Sequence, residues 1–172
     1  DKDQADKIVN ACNSGKYSVS DITNKQKEIQ PKLPMTSAAL QQLASNVLGF
    51  SPSKTMTCAQ HLFEGAFITY HRTDAVRFSD DFIKVAKDKI EKEFGEKYYR
   101  GLVIPKEIND NAQNGHESIR PVDLENTPDK VSQLVDGPES KLYRLIYNHA
   151  LASFFIPAKV NVTTVYIKNG DY

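Results

Sequence analysis

Tyr70, Arg72 and Asp74 stand at alternate positions in the stretch Ala66-Phe-Ile-Thr-Tyr-His-Arg-Thr-Asp74. If this stretch is extended, alternate residues share a face, so Tyr70 and Arg72 point one way and His71 the other. An unperturbed phenol, with a pKa of about 10, is a poor nucleophile at neutral pH. A guanidinium beside it favours the phenolate and offers forked donors to phosphate oxygens. The pair suits attack on a phosphodiester, where positioning and charge stabilisation do most of the work. The same trio also fits a structural tyrosine beside an Arg–Asp surface pair, and residue types alone favour that plainer reading. Cys58 and His61 have ligand-like spacing, but no second pair accompanies them and both fall on a helix, so no metal site is expected in this chain. Gly15-Lys16 lacks the earlier glycine of a phosphate-binding loop.

The elements around this trio are mostly helical. Thr36 or Ser37 caps a helix lined by Leu40, Leu43, Val47 and Leu48 and stopped by Gly49. Ser51-Pro52 opens a second, carrying Met56, Ala59, Leu62 and Phe63 and stopped by Gly65; the two resemble a helix-turn-helix unit. Ala66–Tyr70 reads as a strand or extended exit from that unit. Ser79, with Asp80 and Asp81 in the first turn, starts a helix with Ile83, Ala86, Ile90 and Phe94 as its buried stripe, ended by Gly95. Residues 97–122 read as irregular. Thr127-Pro128 opens a short helix, and a long one runs from Pro138 to about Phe155 through Leu142, Leu145, Ile146 and Phe154.

The outer segments differ. An amphipathic helix over Asp3–Ser14 stops at Gly15, and Lys16–Ile22 alternates as a strand. The polar residues from there to Gln30-Pro31-Lys32-Leu33-Pro34 read as a linker or crossover. Lys159–Lys168 alternates as a second strand, followed by the hairpin dipeptide Asn169-Gly170. A turn with no return strand, in a chain that starts at Asp1, is expected of a piece of a larger protein. The fold class expected is α+β: a helical domain over 30–156 inserted into a β domain made of 1–29 and 157–172.

With 22 Lys+Arg against 22 Asp+Glu the net charge is zero, and 40% of residues are hydrophobic. Such a chain is globular, long enough for a real core, and neither collagen-like nor disulfide-stapled. No apolar run approaches the roughly 20 residues that span a bilayer, and two cysteines suit a reducing cytoplasm. Zero net charge argues at first sight against nucleic acid, yet the sum hides a partition. Residues 31–78 hold Lys32, Lys54, Arg72 and Arg77 against Glu64 and Asp74, whereas 123–139 hold five acids against Lys130. A locally basic groove is compatible with a neutral total.

Longer matches reverse the plainer reading of Tyr70. Gly65-Ala-Phe-Ile-Thr-Tyr-His-Arg-Thr-Asp74 closely resembles the active-site signature of type IA DNA topoisomerases. Met35-Thr-Ser-Ala-Ala-Leu-Gln-Gln42, Leu48-Gly-Phe-Ser-Pro-Ser-Lys-Thr-Met56 and Ala59-Gln-His-Leu-Phe-Glu-Gly65 look like the stretch leading into it. Ala112-Gln-Asn-Gly-His-Glu-Ser-Ile-Arg-Pro121 is similar to the family's second signature, usually written His-Glu-Ala-Ile-Arg-Pro. Leu142-Tyr-Arg-Leu-Ile-Tyr147, Ala152 and Pro157-Ala-Lys159 resemble the long helix returning to a β arch.

The resemblance implies that Tyr70 attacks single-stranded or underwound DNA and forms a 5′-phosphotyrosyl link, relaxing negative supercoils without ATP. Arg72 is then the residue that holds the scissile phosphate and lowers the tyrosine's proton affinity. His116 contacts a DNA phosphate, Arg120 supports that loop or the DNA backbone, and Thr69, Thr73 and Asp74 fix the tyrosine's geometry. Mg²⁺ belongs to a TOPRIM domain absent from this chain, so the fragment alone is expected to be inactive. The intact enzyme is expected to be a cytoplasmic, nucleoid-associated monomer with no membrane contact. A non-catalytic DNA-binding gate module of the same fold, reverse gyrase and topoisomerase III are the alternatives. Two positions depart from the family's wording: Ala75 where a Ser is usual, and Ser118 where an Ala is usual.

Overall fold

Side-chain caps and glycine stops divide this chain into its helices. The computed structural model describes residues 1–104 and 116–169. Its elements run α1 (Lys2–Ser14), β1 (Tyr17–Ile29), α2 (Ser37–Leu48), α3 (Pro52–Glu64), α4 (Asp80–Glu93), a 3-10 turn at Glu96–Tyr98, α5 (Pro128–Val131), α6 (Gly137–Ala152) and β2 (Ala158–Asn169). The chain divides into two compact units, Asp1–Ile29 with Pro157–Tyr172, and Gln30–Ile156.

In the first unit β1 and β2 pair antiparallel from Tyr17↔Asn169 to Ile29↔Ala158, with an irregularity between Val19 and Asp21. The linker expected after Ile22 is therefore corrected: β1 continues to Ile29. Antiparallel pairing with β2 engages peptide groups along its whole length, which outweighs the low strand preference of Asn24, Lys25, Gln26, Lys27 and Glu28. Such polar residues suit a two-stranded ribbon exposed on both faces. Tyr17 donates its hydroxyl to the Cys12 carbonyl at 2.8 Å, and Asn169 Nδ2 reaches the same carbonyl at 3.2 Å, tying α1 to the ribbon. Gly170 of the expected turn lies outside the described residues, as do Ala112–Gly115 of the second signature.

The second unit is helical. Thr36 caps α2 by accepting Ala39 N–H at 3.2 Å, and Gly49 ends it in the left-handed region at φ 67°. Ser51 caps α3 by accepting Lys54 N–H at 3.2 Å, with Pro52 in the first turn. Leu40 and Ala44 of α2, Ala59 and Leu62 of α3, and Leu142 and Ile146 of α6 share one core. Two expected stripes are corrected. Val47 is exposed, with Ala44 buried on α2 in its place, and α4 turns Phe82, Ala86 and Ile90 inward, leaving Ile83 half-buried and Phe94 exposed. An aromatic cluster sets the rotation of α4. Phe78 lies 5.0 Å from Phe82 and 5.4 Å from Phe154, and Tyr99 stacks on Phe154 at 6.3 Å.

Phe154, fully buried at the centre of this cluster, is the most exacting test of the core. Phe154→Ala is expected to lower unfolding stability by about 3–5 kcal/mol, read as a shift of the urea midpoint at unchanged slope. A loss below about 1 kcal/mol places the ring outside the cooperative core.

Candidate active site

Of the two forms expected for Ala66–Tyr70, a strand or an extended exit, the loop after α3 is not a regular strand. Ala66 takes a positive φ of 57°, Ile68 alone pairs, with Pro121, and the chain bends at His71 and Arg72. Alternation in burial nevertheless persists. Ile68, His71, Thr73 and Ala75 are buried, while Tyr70, Arg72 and Asp74 face outward. Arg72 and Asp74 line an open depression of roughly 490 Å³ together with Thr36, Ser37, Gln41 and Met56.

Tyr70 is 39% exposed, its ring held edge-on by Phe63 at 5.4 Å. The His116 ring, brought from the second signature, lies 5.8 Å away and is itself exposed. His71 is fully buried beside Tyr70 and Phe63, with neither ring nitrogen hydrogen-bonded. Burial, reinforced by the Arg72 cation, pushes its pKa below the ordinary imidazole value. His71 is therefore neutral packing at neutral pH.

Residues 116–122 are sewn to this loop. Thr69 donates its hydroxyl to the Ser118 carbonyl at 2.9 Å and accepts Arg120 N–H at 3.0 Å, while its own N–H donates to the Arg120 carbonyl at 2.9 Å. Arg77 Nε donates to the His116 carbonyl at 3.0 Å, and Ile119 N–H donates to the Met35 carbonyl at 2.9 Å. Thr73 is buried, its hydroxyl accepting Ala75 N–H at 3.1 Å. The N–H of Ser37 meets the Thr73 carbonyl at 2.9 Å, and its hydroxyl meets the His71 carbonyl at 2.7 Å.

Arg120 is folded inward, its side chain largely buried. Its Nε and Nη2 donate to the two oxygens of Glu117 at 2.8 and 3.2 Å, and Nη1 donates to the Pro121 carbonyl at 2.9 Å. The guanidinium lies over Phe82, 4.3 Å from the ring centroid. Glu117 also accepts Ser79 N–H at 3.0 Å. Ser79 stands at the N-cap of α4 as expected, but its hydroxyl makes no capping bond. The carboxylate of Glu117 serves that positive helix end instead. Burial alone raises the Glu117 pKa, yet Arg120 and the Ser79 N–H outweigh it and hold the carboxyl below its ordinary value.

Glu117, Ser37 and Phe63 were not singled out as site residues by type and spacing. The acid–base interval from Glu117 to Arg120 was the available signal for the first. Ser37 was masked by its competition with Thr36 as a helix cap. Cys58 and His61 point to a different role from metal binding: His61 Nδ1 meets Glu139 at 2.9 Å, and burial and Glu139 raise the Cys58 thiol pKa. Among the described residues no group of three or more His, Cys, Asp or Glu is placed to hold a metal ion. No helix among them is long and apolar enough to cross a membrane.

An α+β chain whose exposed Tyr–Arg loop is sewn to a His-bearing segment matches one family along its length. The family model described as DNA topoisomerase covers residues 1–172. The chain thus belongs to the type IA DNA topoisomerases, within the bacterial topoisomerase I family. DNA topoisomerase 1 of Campylobacter jejuni is 40% identical over 98% of this chain and 25% of its own length. The Haemophilus influenzae protein of the same name is 36% identical over 98% of this chain and 19% of its own. The solved full-length topoisomerase I of Thermotoga maritima superposes with a TM-score of 0.69 at 32% identity, covering 97% of this chain and 28% of that one. The chain therefore spans about a quarter or less of the curated relatives named here.

Replacing Glu117 by Gln is expected to cost about 1.5–3 kcal/mol at pH 7, because it strips the charge from hydrogen bonds to Arg120 and α4. A carboxyl whose pKa is depressed by folding stabilises above its unfolded value of about 4.3, and that stabilisation is lost as pH falls through the lower folded value. The melting difference between wild type and Glu117→Gln should thus be full above about pH 5 and close on acidification. A pH-independent difference refutes the ionised clamp.

Proposed function

We propose that this chain is the tyrosine-bearing portion of a bacterial topoisomerase I. Residues 30–156 form the inserted catalytic domain, and 1–29 with 157–172 belong to the β arch. In the intact enzyme the Tyr70 phenolic oxygen attacks a backbone phosphorus of single-stranded or underwound DNA. The Tyr–O–P bond forms as the P–O3′ bond breaks, and the phenolic proton is balanced by the 3′-hydroxyl released. Reversal religates the strand, so bond energy is conserved and negative supercoils relax without ATP.

The observation that supports this reading is that Tyr70 and Arg72 are both exposed on one short loop, with the His116 ring 5.8 Å from the Tyr70 ring. Arg72 presents its forked donors to the scissile phosphate. His116 contacts a neighbouring DNA phosphate. Thr69 and Thr73 hold the loop through the bonds described above, and Asp74 lines the depression beside Arg72. Arg120 supports the loop through Glu117, the Pro121 carbonyl and Phe82. Mg²⁺ belongs to the TOPRIM domain of the intact enzyme. The intact enzyme works as a cytoplasmic monomer on DNA.

The test is the intact protein with a labelled single-stranded oligonucleotide, trapping adduct with denaturant. Tyr70→Phe should form none, and Arg72→Ala should slow adduct formation by at least about 100-fold, the scale of losing a charge-stabilising donor. Adduct with Tyr70→Phe moves the nucleophile elsewhere. The isolated 172-residue chain should neither relax supercoils nor cleave efficiently, and robust Mg²⁺-dependent relaxation by it refutes the assignment of the missing site to other domains.

A further inference from the structure

The peptide groups on either side of Arg72 are held by one side chain. Ser37, the first residue of α2, donates its hydroxyl to the His71 carbonyl at 2.7 Å and accepts Thr73 N–H at 2.8 Å. The carbonyl belongs to the peptide before Arg72 and the N–H to the peptide after it. The backbone N–H of Ser37 adds a bond to the Thr73 carbonyl at 2.9 Å. The hydroxyl also approaches that carbonyl at 3.1 Å, but it carries a single proton, and the shorter bond to His71 uses it. Because peptide units are rigid planes, fixing the two that flank Arg72 fixes the direction in which its side chain leaves the backbone.

The loop bends at His71 and Arg72 and has no ladder partner there among the described residues. Ser37 is itself anchored, since Thr36 caps α2 and Met35 pairs with Ile119 of the second signature. One hydroxyl thus relays the position of α2 and of residues 116–122 to the base of Arg72.

We infer that Ser37 is a positioning residue for Arg72, setting where the guanidinium meets the DNA phosphate. This rests on the reading of Arg72 as the phosphate-holding residue. Ser37 acts on the two peptide groups that flank Arg72. Catalysis of this kind is sensitive to misplacement of about 1 Å, which can cost about 100-fold in rate.

The experiment measures single-turnover adduct formation by the full-length enzyme on a labelled oligonucleotide, together with oligonucleotide binding and thermal denaturation. Ser37→Ala is expected to slow adduct formation by about 10-fold or more with binding changed less than about twofold, and Ser37→Thr, which keeps a hydroxyl, to recover most of the rate. Placed on Arg72→Ala, Ser37→Ala should change the residual rate by less than about twofold, since coupled residues are non-additive. A full further loss on that background overturns the inference. So does a deficit that vanishes when each variant is assayed equally far below its own melting midpoint, which reduces Ser37 to scaffold. If Ser37→Ala is unimpaired while Arg72→Ala is crippled, the inference fails and the reading of Arg72 stands. If Arg72→Ala itself is unimpaired, that reading falls and the inference with it.

Discussion

An irregular segment packed inside a protein must find partners for its peptide groups outside any helix or sheet, and residues 66–79 meet that demand with two distant stretches of chain. Phe67 and Thr69 exchange backbone bonds with Val122 and Arg120, Arg77 accepts Ser118 N–H, and Thr73 pairs with Ser37. The Thr69 hydroxyl reaches the Ser118 carbonyl across 49 positions of sequence. Each such group left unmet costs about 1–3 kcal/mol, so the loop bearing Tyr70 has this shape only while the start of α2 and residues 116–122 hold it. The two signatures are therefore one structural object. That is why His116 can stand beside Tyr70 although a helix and a long connection separate them in the chain.

Two arginines in this object have opposite fates, and burial decides between them. Arg120 is folded in over Phe82, where an unpaired cation would be costly, and Glu117 compensates it. Arg72 stays on the exposed face at the rim of an open depression. The same division runs through the whole charge pattern. Of the acids in 123–139, Glu125 approaches Lys89 at 3.6 Å, Asp129 meets Arg144 at 2.6 Å and Glu139 meets His61 at 2.9 Å. These contacts place Glu125 and Asp129 against the cations Lys89 and Arg144, and Glu139 against the His61 ring, all drawn from other helices. A polyanion meets the local field around 31–78 and not the zero of the sum.

How much of this was legible depended on whether a residue's role was local. The starts of α2 and α3 at Thr36 and Ser51 follow from side chains that reach their own helix, and both could be read in the sequence. Ser79 occupies the same kind of position, yet the group serving α4 is Glu117, on a remote segment, and no pattern near Ser79 announces it. The second half of β1 is polar and reads as linker; only its register with β2 makes it a strand. On α4 Ala86 and Ile90 lie on the expected stripe, but Phe82 and not Ile83 leads it, because Phe78 and Phe154 decide where Phe82 points. The alternation of Tyr70, Arg72 and Asp74 was legible because burial follows it even where the chain bends.

The two departures from the family's wording obey the same logic. Taken singly, Ala75 removes a hydroxyl from the first signature and Ser118 adds one to the second, each without an evident reason. In the fold they meet: Ser118, fully buried, donates its hydroxyl to the Ala75 carbonyl at 2.7 Å. Ala75 is fully buried as well, and a hydroxyl there has to find a partner of its own. With alanine at one position and serine at the other, a single buried hydroxyl joins the two signatures and is satisfied by a backbone carbonyl. Both residues lie on the inward face, away from the exposed side chains of Tyr70 and Arg72.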